Sequence, residues 1–305
     1  MIQRWRKLGV IYCPSGEIDW MRSHAAVPIA EHIDGNFFRI YFSSRNSENE
    51  SSTGHLVIDI TRPQQVLDLS ATPVLSPGDL GEFDDSGAMA TWLAQHGGRR
   101  YLYYIGWNLG VTVPFRNSVG LAVSQEGREF KRYARGPILD RTMTEPHFVA
   151  SCCVVPGEDK WRLWYLSCTE WKIRCGHPEH RYHIKYAESH DGISWQRPGV
   201  VAIDFSDAAE YAISRPSVTR DRDCWRMWYS HRGSTYRIGY AESHDGLRWK
   251  RLDARCGIDV SYSGWDSEMI EYPFVFDHAE TRYMLYNGNG YGKTGFGLAV
   301  LERRE

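Results

Sequence analysis

The sequence predicts an all-β protein. It reads as a single five-bladed β-propeller with four-stranded blades, the ring closed by an N-terminal strand paired into the last blade. Three observations predict this. The stretch Tyr240-Ala241-Glu242-Ser243-His244-Asp245-Gly246-Leu247-Arg248-Trp249 repeats Tyr186-Ala187-Glu188-Ser189-His190-Asp191-Gly192-Ile193-Ser194-Trp195, with a worn third copy over 121–130. An aromatic pair ends a short alternating strand at Tyr41-Phe42, Tyr103-Tyr104, Trp164-Tyr165, Trp228-Tyr229 and, with leucine first, Leu285-Tyr286; the second members lie 62, 61, 64 and 57 residues apart, so five units fill the 305 residues. Helical periodicity is nearly absent. Repetition at this period marks an array of one supersecondary unit, and four short strands per unit mark a propeller blade.

Each unit has the same internal order. An apolar, small-residue strand comes first, at 25–30, 88–93, 149–155, 216–219 and 272–276. A turn leads to the second strand, which carries the aromatic pair. The third strand ends at a Ser followed by an Asp/Glu-Gly turn, where the carboxylate caps the turn's amides and glycine accepts a positive φ. The turn's aromatic opens the fourth strand. The blades span about 15–78, 79–140, 141–206, 207–262 and 263–305, the last taking in 4–14. That last unit has three strands of its own, 269–276, 281–286 and 296–302; residues 8–12 supply the fourth and leave no broken edge.

With 42% hydrophobic and 24% charged residues the composition is that of a globular protein with a large core. The 12 Trp, 18 Tyr and 11 Phe suit pleated surfaces and also make platforms for sugars. Net charge is −2 with the signs interspersed, which gives no basic face for nucleic acid. No apolar run is long enough to span a membrane, and the N-terminus lacks the apolar centre of a signal peptide. Seven cysteines without a framework spacing point to a reducing, cytoplasmic setting. No cofactor is called for, and the channel leaves room for a structural ion. Cys168, Cys175, His177, His180 and His183 are zinc-type residues at an uncommon spacing. No metal is assigned to them; they read as a long loop between the second and third strands of blade 3, where Trp171 and Tyr182 could instead touch a sugar.

In a propeller the first strand of each blade lines the channel, so the segments leading into those strands converge on one funnel. They bring Asp19, Arg22 and His24 from blade 1, Asp84 and Asp85 from blade 2, Glu145 and His147 from blade 3, and Arg215 from blade 4. Blade 5 brings Trp265, Asp266, Glu268, Glu271 and Tyr272. Glycosyl transfer needs two carboxyls, one to donate a proton while the other stays charged. Asp84 and Asp85 alternate in direction, so one of them caps a turn. Arg215 either clamps a substrate anion or pairs with a funnel acid. The Asp191 and Asp245 turns resemble the Asp-box turns of sialidases and read as scaffold. The glycine-rich 287–295 reads as a flexible hairpin that can close over the funnel.

This architecture, with Asp85 in blade 2 and Glu145-Pro146 in blade 3, resembles the five-bladed propeller glycosidases and glycoside phosphorylases, the superfamily of arabinanases, xylosidases, invertases and mannoside phosphorylases. The resemblance implies a glycoside hydrolase acting on a small-molecule glycoside or sugar conjugate, with Glu145 as proton donor and Asp85 as the second acid. The Asp-Pro expected in blade 1 is replaced by Ser23-His24-Ala25-Ala26-Val27-Pro28, so the partner role falls to Asp85 or Glu271. Two alternatives stay open: a phosphorylase holding phosphate on Arg215, Arg22 and His24, and a sugar-binding propeller without catalysis.

Overall fold

The computed structural model describes residues 2–222 and 224–302. The chain begins with β1 (Trp5–Tyr12), which waits for a partner at the other end. Four strands follow in antiparallel order, β2 (Ser23–Asp34), β3 (Phe37–Arg45), β4 (Ser51–Asp59) and β5 (Val66–Leu69). The second unit is β6 (Gly87–His96), β7 (Arg99–Leu109), β8 (Phe115–Ser124) and β9 (Lys131–Arg132). The third is β10 (Val149–Val155), β11 (Trp161–Arg174), β12 (His177–Ser189) and β13 (Val201–Ile203). The fourth is β14 (Ala212–Arg220), β15 (Trp225–Arg232), β16 (Tyr236–Ser243) and β17 (Lys250–Arg251). Last come β18 (Glu271–His278), β19 (Thr281–Asn287) and β20 (Phe296–Leu301), and β1 pairs antiparallel with β20 as the fourth strand.

Among the described residues these strands form three sheets, one of four strands and two of eight. Each eight-stranded sheet is two units joined by a single parallel pair, Ser51 with Gly87 and Tyr182 with Ala212. The stretch 168–183, expected to be a loop, is instead the outer half of a long β11–β12 hairpin whose ladder continues, across one bulge, from Cys168–Tyr182 to Arg174–His177.

The aromatic pairs recur because each ring ties one unit to something specific. The first member reaches the Asp/Glu-Gly turn of the next unit: Tyr41 donates to the Gly127 carbonyl at 2.7 Å, Tyr103 to Gly192 at 2.8 Å and the Trp164 indole to Gly246 at 2.9 Å. Those turns have the local chemistry their sequence implies. Asp191 and Asp245 each accept two backbone amides at 2.8 Å, and Gly192 and Gly246 sit at φ 73° and 76°, where a Cβ would be strained. Trp161 crowds the first of these glycines as well, so the position excludes a side chain twice over.

All five first strands carry a bulge, where the ladder with the second strand slips. At Val27, Arg215 and Tyr272 the bulged residue has φ between 52° and 56° and precedes proline. A bulge frees amides from the ladder, and buried amides need partners. Side chains of the neighbouring unit supply them. Thr53 Oγ1 takes the Ala90 amide, Thr91 Oγ1 that of Cys152 and Ser151 Oγ that of Arg215. Ser217 Oγ then takes Val275 and Asn287 Oδ1 takes Val27. These bonds step from unit to unit and from the fifth back to the first. β18 likewise touches β2 as well as β14. No helix among the described residues is long and apolar enough to cross a membrane.

Candidate functional site

The bulges turn residues inward at the end of the molecule where first strands begin and second strands finish. A cavity of about 500 Å³ opens there. Val27, Ser151, Arg215 and Tyr272 line it from the bulges; Arg45, Trp107 and Arg232 line it from the ends of β3, β7 and β15. His180, Tyr182 and Tyr236 come from the starts of β12 and β16, and Tyr291 from the 287–295 segment. In that segment Thr294 Oγ1 and the Asn289 amide both donate to the Trp265 carbonyl, and Tyr291, at φ 61°, accepts from Arg232 at its hydroxyl across 2.7 Å.

One carboxyl stands directly behind this lining. Glu271, the first residue of β18, is fully buried, and neither of its side-chain oxygens has a hydrogen-bond partner among the described residues. Burial pushes its pKa well above the usual carboxylate range, and the opposing influences of the Arg232 charge and the Tyr291 amide are outweighed. It therefore holds its proton more firmly than a free carboxyl does. Its charge would be felt by Tyr182, Tyr236 and Tyr272, all of which line the cavity. The Tyr182 and Tyr236 hydroxyls are hydrogen-bonded to each other.

The acids expected in the funnel are mostly elsewhere, and for one physical reason. Asp84, Glu145 and Asp266 each accept the hydroxyl of the second aromatic of their own unit, Tyr104, Tyr165 and Tyr286, all at 3.0 Å. Each also meets a cation from the outer part of the unit: Arg132 at 2.9 Å, Arg197 at 3.2 Å and Lys7 at 2.7 Å. Unit 4 does the same with altered parts, Glu210 being clamped by Arg251 and His231 while Tyr229 donates to Asp253. In unit 1 the clamp is replaced by Trp20 stacked on Phe42, which has no hydroxyl to offer.

Glu145 thus differs from the proton donor that the resemblance implied. Burial alone would raise its pKa, but the Ser167 hydroxyl, Lys185 and Arg197 together hold it below the usual value, so it is ionised. Asp85 caps its own turn, accepting from the Gly81 amide, Ser86 and Asn108, and is also held low against the effect of burial. Neither lines the cavity. Asp19 and Arg22 pair with each other on an exposed loop. Glu268 is exposed, and Trp265 packs on Tyr286 at 5.1 Å. His147 is half-buried just ahead of Phe148, which reaches the lining where His147 does not. His24 sits at φ 63° beside the site; burial, with Arg45 and Lys293 nearby, draws its pKa down to about 4. Of the predicted set only Arg215 and Tyr272 line the cavity, with Glu271 behind them.

Arg215 meets neither expectation in full. It pairs with no acid; its guanidinium donates to the Thr91 and Pro28 carbonyls, and its Nε has no partner among the described residues. Arg45, Trp107 and Arg232 were missed. The signal for them was present, since each stands three residues beyond the second aromatic of its pair. Among the described residues no group of three His, Cys, Asp or Glu is arranged to hold a metal ion. Cys168 is buried within the hairpin while Cys175 is exposed at its tip.

No known family profile matches the chain. A solved structure described as a glycoside hydrolase superposes with a TM-score of 0.77 at 18% identity, covering 99% of this chain and 93% of that one. The Bombyx mori GH32 beta-fructofuranosidase BmSUC1 superposes with a TM-score of 0.64 at 14% identity, over 93% of this chain and 65% of that one, and a mutant of it in complex with sucrose does so at 0.63. The uncharacterized protein Rv1502 of Mycobacterium tuberculosis is 47% identical over 298 residues, 98% of this chain and 99% of its own. The chain belongs to the family of Rv1502 and shares its fold with the solved structure described as a glycoside hydrolase.

Proposed function

We propose that the chain is one five-bladed β-propeller closed by β1, and that it acts on a glycoside in this cavity with Glu271 as the proton donor. The closed ring is supported by the hydrogen bond that returns from Asn287 to Val27 and by the β1–β20 pairing. The observation that carries the chemistry is a buried carboxyl kept neutral behind a wall of tyrosines. Such an acid can protonate a leaving oxygen at neutral pH, which an ionised carboxylate cannot. The Tyr182 and Tyr236 hydroxyls, linked to each other, stand in the cavity wall and feel the Glu271 charge. Among the described residues no carboxylate lines the cavity itself. His180 lines it and is uncharged, its pKa drawn down to about 4 by burial and by Arg232, so its ring nitrogen can accept a hydrogen bond from an attacking water and orient it. All seven cysteines are free, which supports a reducing, cytoplasmic setting.

The test is Glu271→Gln against a panel of aryl glycosides. Turnover should fall by about 10²–10⁴-fold, while sugars continue to raise the melting temperature. Unchanged turnover would remove Glu271 from the mechanism. Phosphorolysis is the second reading, favoured by the arginines of the lining, and a requirement for inorganic phosphate would select it. Stabilisation by sugars with no turnover by the unmodified protein would leave a binding propeller.

A further inference from the structure

We propose that the saccharide taken by this cavity carries an oxyanion of its own, a carboxylate or a phosphate monoester, gripped by Arg45 and Arg232 with Arg215 beside them. The proposal rests on the reading of the cavity as a glycoside site and narrows its substrate class. Most buried or half-buried arginines elsewhere among the described residues are neutralised by carboxylates, Arg162 lying over the Trp225 ring instead. Arg39 and Arg100 share Glu31, Arg132 holds Asp84, Arg197 holds Glu145, Arg251 holds Glu210, and Arg282 holds Asp221 and Asp277. The three in the cavity are different. Arg45 donates to the Asn49 amide oxygen, Arg232 to the Tyr291 hydroxyl, and Arg215 to backbone carbonyls and the Thr91 hydroxyl. None has a carboxylate partner among the described residues.

The surroundings add nothing negative. Glu271, the one acid behind the lining, is neutral for as long as the cavity stays as it is. Both histidines of the neighbourhood are discharged, by burial first and then by these same cations: Arg45 acts on His24 and Arg232 on His180. Guanidinium matches carboxylate and phosphate oxygens in a fixed fork, and no carboxylate of the lining competes for it. A neutral sugar would leave these partly desolvated cations without a counter-charge, whereas a sugar-borne oxyanion supplies one. Arg215, fully buried with its Nε unpartnered, would add its field and one free N–H. The flanking Trp107, Tyr236 and Tyr291 then have the uncharged sugar ring to cover.

The test measures calorimetric binding to the full-length protein of matched aryl glycosides that differ only in charge. A neutral hexoside, its glycuronide and its sugar phosphate are compared across glucose, galactose and mannose, with inorganic phosphate as a separate arm. We expect one charged form to bind at least about ten-fold tighter than its neutral parent, with an advantage that shrinks as salt is raised. Arg45→Gln and Arg232→Gln should each remove that advantage, and Arg45→Lys should keep part of it. The ligand-free melting temperature of each variant reports whether it has folded, and the salt series needs no variant at all. If no charged form of any of the sugars binds better than its parent, the inference is overturned while the glycoside reading stands. If inorganic phosphate binds alone and accelerates turnover of neutral glycosides, the anion is a free co-substrate and the inference is overturned in that direction. Charged sugars that bind without being turned over would uphold the inference and sink the enzymatic reading.

Discussion

Glu145 and Glu271 are the same residue type at comparable places in the repeat, each just ahead of or at the start of a first strand, and they end in opposite states. Glu145 lies among Tyr165, Ser167, Lys185 and Arg197 and is ionised. Glu271 lies beside Tyr182, Tyr236 and Tyr272 with no partner for its carboxyl among the described residues, and burial makes it hold its proton more firmly. The first arrangement recurs at Asp84 and Asp266 and holds units together; the second occurs once among the described residues, beside the cavity. What separates structural from chemical acids here is therefore the supply of donors. A carboxylate surrounded by donors contributes stability, and one without them is available for proton transfer.

Several measurements would break or sharpen this contrast. The largest effect belongs to Glu145→Gln, which strands Arg197 and Lys185 beside an uncharged amide; it should lower stability by about 3–5 kcal/mol in denaturant titration. Glu271→Gln should change stability little near pH 4 and raise it at neutral pH, because the amide escapes the cost of keeping a buried carboxyl protonated; a loss as large as that of Glu145→Gln would erase the distinction. Tyr165→Phe removes one donor from the ionised Glu145 and should cost about 1.5–3 kcal/mol by the same titration.

The pH dependence should differ in sign. The folded protein keeps the Glu271 proton above pH 4.5, where the unfolded chain has released it, so this stabilisation is complete below about that pH and fades as pH rises through the raised folded value. For Glu145 the folded value lies below 4.5, so its contribution is present above that pH and is lost as pH falls through the lowered value. Stability curves of the two Gln variants relative to the parent protein should accordingly slope in opposite directions; parallel slopes would contradict the assigned states. The smallest effect is expected for Asp245→Ala, which removes two amide contacts from an exposed turn and should cost about 1 kcal/mol or less, with turnover unchanged.

Much of the fold was legible in the residues. The five aromatic pairs mark five second strands, and residues 8–12 do pair with the last strand as the count of strands required. The Asp191 and Asp245 turns cap themselves as their side chains imply, far along their strands from the cavity, whose lining comes from the other end. The candidate site was less legible. The acids leading into the first strands form a pattern, and that pattern belongs to the clamps. Arg197 lies 52 residues from Glu145, and Lys7 lies 259 from Asp266, so nothing local announces that they are neutralised. Of the lining arginines, Arg45 and Arg232 went unnoticed because they stand at the far ends of strands chosen for their aromatics.

The sequence by itself determined the repeating unit, because alternation, turn glycines and capping carboxylates act between residues a few positions apart. The tertiary structure alone decided which acid keeps its proton and which arginines lack a partner. Those properties depend on burial and on groups delivered from distant strands, and they exist only once the units have met around the cavity.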